Sequence, residues 1–211
     1  MVTWMHKAKI VKISFLFFAY IFLVSCVSSQ PRNIADVCAI FEERRGWFEA
    51  ANTSEKRWGI PVAVNMAIIY QESSFRARAK PQRSKVLWVL PGPRASSAYG
   101  YAQALDSTWK EYKSASGSKR ASRSDFKDAV DFVGWYNANS SRVSSIAGTD
   151  AYNLYLAYHE GNAGFQRGSY QDKQWLIAAA NRVQINSERF NSQLEGCSKQ
   201  LEKGWLRRLF S

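Results

Sequence analysis

Pro61-Val62-Ala63-Val64-Asn65-Met66-Ala67-Ile68-Ile69-Tyr70-Gln71-Glu72-Ser73-Ser74-Phe75 is the stretch on which the fold turns. Proline suits a helix start, where its missing N–H costs nothing and its φ is already set. The residues after it are apolar almost all round, the mark of a helix buried on every side rather than one with a single oily stripe. The stretch therefore predicts a central helix from Pro61. Glu72 stands at its end, one turn after Ile68 and on the same face. A carboxyl partly desolvated by such a helix takes a raised pKa, which a general acid near neutral pH requires. Position alone is weak, because a glutamate at a helix end beside polar residues is usually just solvated.

Working outward, helical periodicity recurs over 34–51, where Ile34, Val37, Cys38, Phe41 and Phe48 share a spacing near 3.6. It returns over Leu105–Tyr112, from Phe126 to about Asn137, over Ala151–His159 and over Gln171–Phe190, with Ser124 as the expected N-cap of the Phe126 helix. Between Arg76 and Tyr99 the pattern breaks on Pro81 and Pro91-Gly92-Pro93. An irregular excursion of that length is a binding loop, a lid or surface decoration, with room for a small hairpin at most. No set of alternating strands and no internal repeat is visible, so the fold class is mainly α, in a single domain.

The composition bounds the rest. A 46% hydrophobic share over 211 residues excludes global disorder and allows one sizeable core. The net charge of +12 calls for an acidic partner or neighbourhood: nucleic acid, an anionic membrane or an anionic wall polymer. Lys7, Lys9 and Lys12 precede an apolar run, Ile13 to Val24, that is short for a membrane span and right for a secretory signal. The run ends in Leu23-Val24-Ser25-Cys26, which resembles the lipobox of bacterial lipoproteins, where the cysteine receives a lipid and becomes the mature N-terminus. An uncleaved signal anchor is the alternative. Residues 1–25 then form a signal peptide and 26–33 a tether. Its removal takes away three lysines and no acid, leaving a mature chain of +9.

Export pairs the two remaining cysteines, Cys38 and Cys197, in a compartment that permits disulfides. A bridge between them closes nearly the whole domain and contributes roughly 5 kcal/mol by loop entropy; two separate buried thiols are the other reading. The segment 198–211 sets Leu201, Trp205, Leu206, Leu209 and Phe210 among Lys199, Lys203, Arg207 and Arg208. It reads either as a basic amphipathic helix on an anionic membrane or as a last helix packed on its own domain, with Gly204 weakening the helix.

Three short motifs follow one another. Glu72-Ser73 closes the buried helix, Gly100-Tyr101-Ala102-Gln103 lies about thirty residues on, and Ala157-Tyr158-His159-Glu160-Gly161 comes later. In this order they resemble the lytic transglycosylases of the soluble-lytic-transglycosylase (SLT) type, relatives of goose-type lysozyme, over roughly residues 55–192. The resemblance implies a lysozyme-like catalytic domain over 34–197 with a groove. It also implies a peptidoglycan glycan strand as substrate, with the lipid joining the protein to a membrane and no cofactor. Glu72 becomes the catalytic acid and base. It would protonate the linkage between N-acetylmuramic acid and N-acetylglucosamine, then accept the proton of the muramoyl C6 hydroxyl as that oxygen attacks C1, leaving a 1,6-anhydro end. With the nucleophile inside the substrate, positioning replaces the second carboxylate of an ordinary glycosidase.

By the same resemblance Ser73 orients the substrate, Gln103 bonds a sugar or its acetamido group, and Tyr158 reaches Glu72 or the oxocarbenium region. Tyr99, Tyr101 and Trp109 are candidates for stacking on sugars, Tyr101 foremost. Tyr101-Ala102 departs from the family's Leu-Met. His159 and Glu160 stand where the family has Asn-Ala, so they join the substrate-binding candidates, with an ion pair to a base such as Arg167 as the plainer role for Glu160. No metal set is visible, since the two histidines are His6 in the signal and His159. A non-catalytic peptidoglycan-binding lipoprotein and a lysozyme-type hydrolase remain as alternatives; export argues against nucleic acid. Val27 is not the acidic residue that retains lipoproteins at the inner membrane, so the expected site is the outer membrane, facing the periplasm.

Overall fold

The computed structural model of the chain describes residues 30–86 and 90–209. The signal segment 1–25, Cys26 and the first tether residues lie outside the described residues. Among these, eight helices and one hairpin follow in the order α1 (Val37–Glu43), α2 (Trp47–Trp58), α3 (Val62–Ser73), β1 (Arg83–Val86), β2 (Leu90–Arg94), α4 (Asp106–Ser116), α5 (Phe126–Ser144), α6 (Ala151–Glu160), α7 (Asn162–Gln166) and α8 (Gln174–Leu209). The class is mainly α, as the periodicity predicts.

Helix α3 is the axis. Val62 to Ile69 are all buried, and the helix packs most extensively on α8, then on α5, α2 and α6. An all-round apolar sequence is the only kind that suits such a position, because each Ile or Met buried there contributes about 1.5–3 kcal/mol. The predicted 34–51 helix is two helices. Gly46, at φ 93, turns the chain between Glu43 and Trp47 and caps α2, a left-handed conformation that glycine adopts without steric cost. Asp125, not Ser124, caps α5, its carboxylate accepting from the Asp128 N–H at 3.2 Å.

The excursion holds the small hairpin. β1 and β2 pair antiparallel, Arg83 opposite Arg94 and Val86 opposite Leu90, with an irregularity between Arg83 and Lys85. Helix α8 is longer than its periodicity suggests, 36 residues and therefore about 54 Å at 1.5 Å per residue. Leu176, Ala179, Ala180, Val183 and Phe190 bury its inner face, and Leu194 and Leu201 still pack against the core. The stretch after residue 197 is thus the continuation of α8, unbroken at Gly204.

Cys38 of α1 and Cys197 of α8 form a disulfide, 159 residues apart in sequence. Gln193 reinforces the junction: its Oε1 accepts from the Val37 N–H at 2.9 Å and its Nε2 donates to the Ala35 carbonyl at 3.2 Å. Aromatic packing closes the other side, where Trp47 stacks on Phe126 at 3.8 Å and Tyr101 meets both edge-on.

Candidate active site

Glu72 occupies the last turn of α3, and the chain leaves that turn abruptly. Ser74 and Phe75 both take left-handed backbone, φ 50 and 61, which costs a non-glycine residue about 1–3 kcal/mol. Phe75 is held there by burial, 1% exposed against Trp47 and Tyr70. The reversal ends the helix one residue after Glu72 and leaves that side chain half-buried at its tip. Two phenols of α6 stand beside it. Burial pushes the Glu72 carboxyl up to about 7, and a hydrogen bond from Tyr155 pulls weakly the other way. Burial raises the Tyr158 phenol well above its usual range, with the Glu72 charge as the next cause.

The turn at 99–104 forms the second wall. Gly100 sits at φ 80, and a Cβ there would lie 2.0 Å from the Arg123 carbonyl oxygen, so only glycine lets the two backbones meet. Arg123 fixes the turn, donating to the Ser97 and Ala104 carbonyls and pairing with Asp106 at 2.7 Å. Gln103, at φ 46, donates through Nε2 to the Ala79 and Gly100 carbonyls at 3.0 and 2.8 Å. With both N–H groups committed, what Gln103 offers a ligand is its Oε1.

The third wall is the end of α6. The Tyr158 hydroxyl donates to the Ala102 carbonyl at 2.6 Å, tying α6 to the turn. Gln103, Leu105, Thr108, Phe132, Tyr136, Tyr158, His159 and Glu160 line a cavity of about 260 Å³ between these elements, together with Ala104 and Gly161. Glu72 is not part of that lining; Tyr158, which is, feels the Glu72 charge.

Glu160 is spoken for. Its side chain is 5% exposed; Lys173 Nζ donates to both oxygens at 2.8 and 2.7 Å, Ser169 Oγ to Oε2, and His159 Nδ1 lies 3.2 Å from Oε1. Burial raises the carboxyl, but the bonds from Lys173, Ser169 and His159 outweigh it and hold the pKa down to about 2. The ion pair foreseen for Glu160 exists, with Lys173 in the place proposed for Arg167.

Several expected roles move. Ser73 is 1% exposed and donates its hydroxyl to the Ile69 carbonyl at 3.2 Å, so it offers a substrate almost no surface. Tyr101, 4% exposed between Trp47 and Phe126, belongs to the core rather than the cleft, and Trp109, 7% exposed, packs on Tyr112 and Phe132. Tyr158 bonds the Ala102 carbonyl, and the hydroxyl that bonds Glu72 belongs to Tyr155. Tyr155 is visible in sequence only as the residue three before Tyr158, hence on the same helix face. Lys173 and Ser169 carry no sequence signal, because the α6–α7 reversal alone brings them to Glu160. Among the described residues no group of three or more His, Cys, Asp and Glu side chains is placed to hold a metal ion.

Compared with known protein families, residues 14–197 match the family described as transglycosylase SLT domain. The match spans Glu72, the 99–104 turn and the end of α6, and its last residue is the disulfide cysteine Cys197. No curated protein and no solved structure matches the chain.

Proposed function

The chain belongs to the transglycosylase SLT family, whose domain carries peptidoglycan lytic transglycosylase activity, and from that premise we propose a cut that leaves 1,6-anhydro ends, made by one carboxyl group. The observation that carries this reading is the state of the two acids, Glu160 in the cavity lining and Glu72 beside the lining residue Tyr158. Glu72 has a pKa of about 7, so at neutral pH it divides its time between the form that donates a proton and the form that accepts one. Glu160, held at about 2 and bonded on both oxygens, is too weak a base to activate water and too encumbered to attack C1. A hydrolase of the ordinary kind needs a second working carboxylate. Here the substrate's own C6 hydroxyl supplies the nucleophile.

In this reading protonated Glu72 gives its proton to the glycosidic oxygen as the bond to C1 breaks. Its carboxylate then takes the proton from the C6 hydroxyl as O6 closes on C1, returning the enzyme to its starting state. Tyr155 steadies the carboxylate by its hydrogen bond, and the glycan lies in the cavity against Gln103, Tyr158 and His159. Digestion of purified peptidoglycan followed by mass spectrometry of the muropeptides tests the reading: anhydro-muramoyl ends are expected, whereas reducing ends alone make the protein a lysozyme-type hydrolase and intact wall makes it a binding protein.

The same proposal places the enzyme outside the cytoplasm. The basic and apolar run before Cys26 and the oxidised pair Cys38–Cys197 support an exported lipoprotein tethered at Cys26, at the periplasmic face of the outer membrane. Mass spectrometry of the native N-terminus tests it, a lipid-modified Cys26 as the first residue being the expected form and an unmodified or uncleaved N-terminus overturning it.

A further inference from the structure

Trp175 is the largest of the exposed apolar side chains among the described residues, 59% exposed. It is the second residue of α8 and stands edge-on to His159, ring centroids 5.0 Å apart and planes at 76°. His159 in turn lines the cavity beside Gln103 and Tyr158, and Leu105, 43% exposed, lines it as well. The indole therefore stands next to the cavity's lining, in contact with His159.

One buried carboxylate meets the imidazole directly and anchors the residue two before the indole. Glu160 meets His159 Nδ1 with Oε1 and binds Lys173 with both oxygens. Lys173 is two residues before Trp175, and its carbonyl accepts the N–H groups of Leu176 and Ile177 at 2.8 and 3.1 Å, so the Glu160 contact fixes the start of α8. Gly164 is part of the same construction, because a Cβ there would lie 3.1 Å from the Glu160 Cβ and 3.0 Å from Ser169 Oγ. A buried carboxylate that braces the half-open side chains of Lys173 and His159, next to an indole left in water, pre-forms a surface for a ligand rather than a core contact.

We propose that Trp175, braced edge-on by His159, forms a stacking platform that adds one sugar subsite to the groove, taking the apolar face of a pyranose ring of the glycan strand. The ligand class follows from the pairing of surfaces. A flat aromatic face suits the ring's axial C–H bonds, and Gln103 Oε1 and the imidazole next to it suit the equatorial polar groups. This rests on the reading that the groove binds peptidoglycan glycan. The departure at His159-Glu160 from the family's motif is then a specificity device: the imidazole braces the indole and offers the sugar a polar edge, and the carboxylate holds the imidazole and the start of α8.

The test uses the full chain in detergent, with purified peptidoglycan for turnover and the β-1,4-linked tetramer of N-acetylglucosamine as binding probe. In the wild type the tetramer is expected to perturb tryptophan fluorescence. Trp175→Ala should lose most of that response and raise KM about ten-fold with kcat within two-fold, whereas Trp175→Phe, which keeps a ring, should stay near the wild-type KM. An unchanged melting temperature in Trp175→Ala separates lost binding from lost fold. A Trp175→Ala protein with wild-type KM and wild-type fluorescence response overturns the platform while leaving the catalytic reading intact. A Glu72→Gln protein that still binds the tetramer but does not cleave keeps the two separate, and a wild type that neither binds nor cleaves overturns both.

Discussion

Glu72 and Glu160 are two glutamates in one small domain, each at the end of a helix, and their surroundings drive them in opposite directions. Glu72 is desolvated at the end of a buried helix and is pushed up to about 7; Glu160 also feels burial but meets Lys173, Ser169 and His159 and is held at about 2. Burial is common to both, so what separates them is the company burial provides. Chemistry and support are thereby divided: one carboxyl changes protonation at working pH, and the other keeps its charge and organises its neighbours.

The largest effect expected from this contrast is on catalysis. Glu72→Gln should lower peptidoglycan cleavage by about a thousand-fold or more, since the amide can neither give nor take the proton, and Glu160→Gln should cost about ten-fold at most, seen mainly in KM. Equal losses in the two variants, read from the release of soluble muropeptides, would undo the division of roles.

Stability should move in opposite senses. The folded pKa of Glu72 lies above its ordinary value of 4.5, so the folded state holds the proton more tightly. Stability falls as pH rises from 4.5 through 7, and above pH 7 the full cost, about 3 kcal/mol, is present. Glu72→Gln should therefore be more stable than wild type in denaturant unfolding at pH 8 and indistinguishable at pH 4. The folded pKa of Glu160 lies below 4.5, so its contribution is present above pH 4.5 and is lost as pH falls through 2. It amounts to at most about 3 kcal/mol, reduced by solvent at Lys173. Glu160→Gln should accordingly be less stable at pH 7. If both variants shift the same way at neutral pH, the contrast fails.

The smallest effect belongs to Tyr155. Its hydrogen bond favours the ionised Glu72, so Tyr155→Phe should raise the carboxyl's pKa and carry the alkaline limb of the pH–rate profile upward by about half a unit to one. A downward movement would mean that Tyr155 does not donate to the Glu72 carboxylate.

Sequence made the fold class, the central helix and the catalytic candidate legible because each depends on local pattern. An apolar run of that length is a buried helix wherever it packs, and its last polar residue lies at an edge of the core. What stayed hidden depends on the partners brought together by folding. Ser73 and Glu72 are neighbours in the chain, yet one hydroxyl turns back onto its own helix while the carboxyl is left at the tip. Tyr101 and Tyr158 are both tyrosines in motifs, but one fills the space beside Trp47 and the other ties α6 to a carbonyl. The site partner of Glu72 lay one helical turn away from the tyrosine singled out. Gly46 splitting the first predicted helix and Gly204 failing to interrupt the last show the same limit: a glycine breaks a helix where packing asks for a turn and is tolerated where it does not.

The Cys38–Cys197 bond has a mechanical consequence. It closes residues 38–197, Glu72 among them, into a covalent ring. A pull applied to the two chain ends runs from residue 38 across the sulfurs into α8 and bypasses α2 to α7. A single backbone cut anywhere inside the ring leaves the pieces joined. The chain thus carries its candidate active site in the part that neither stretching nor one nick can pull away.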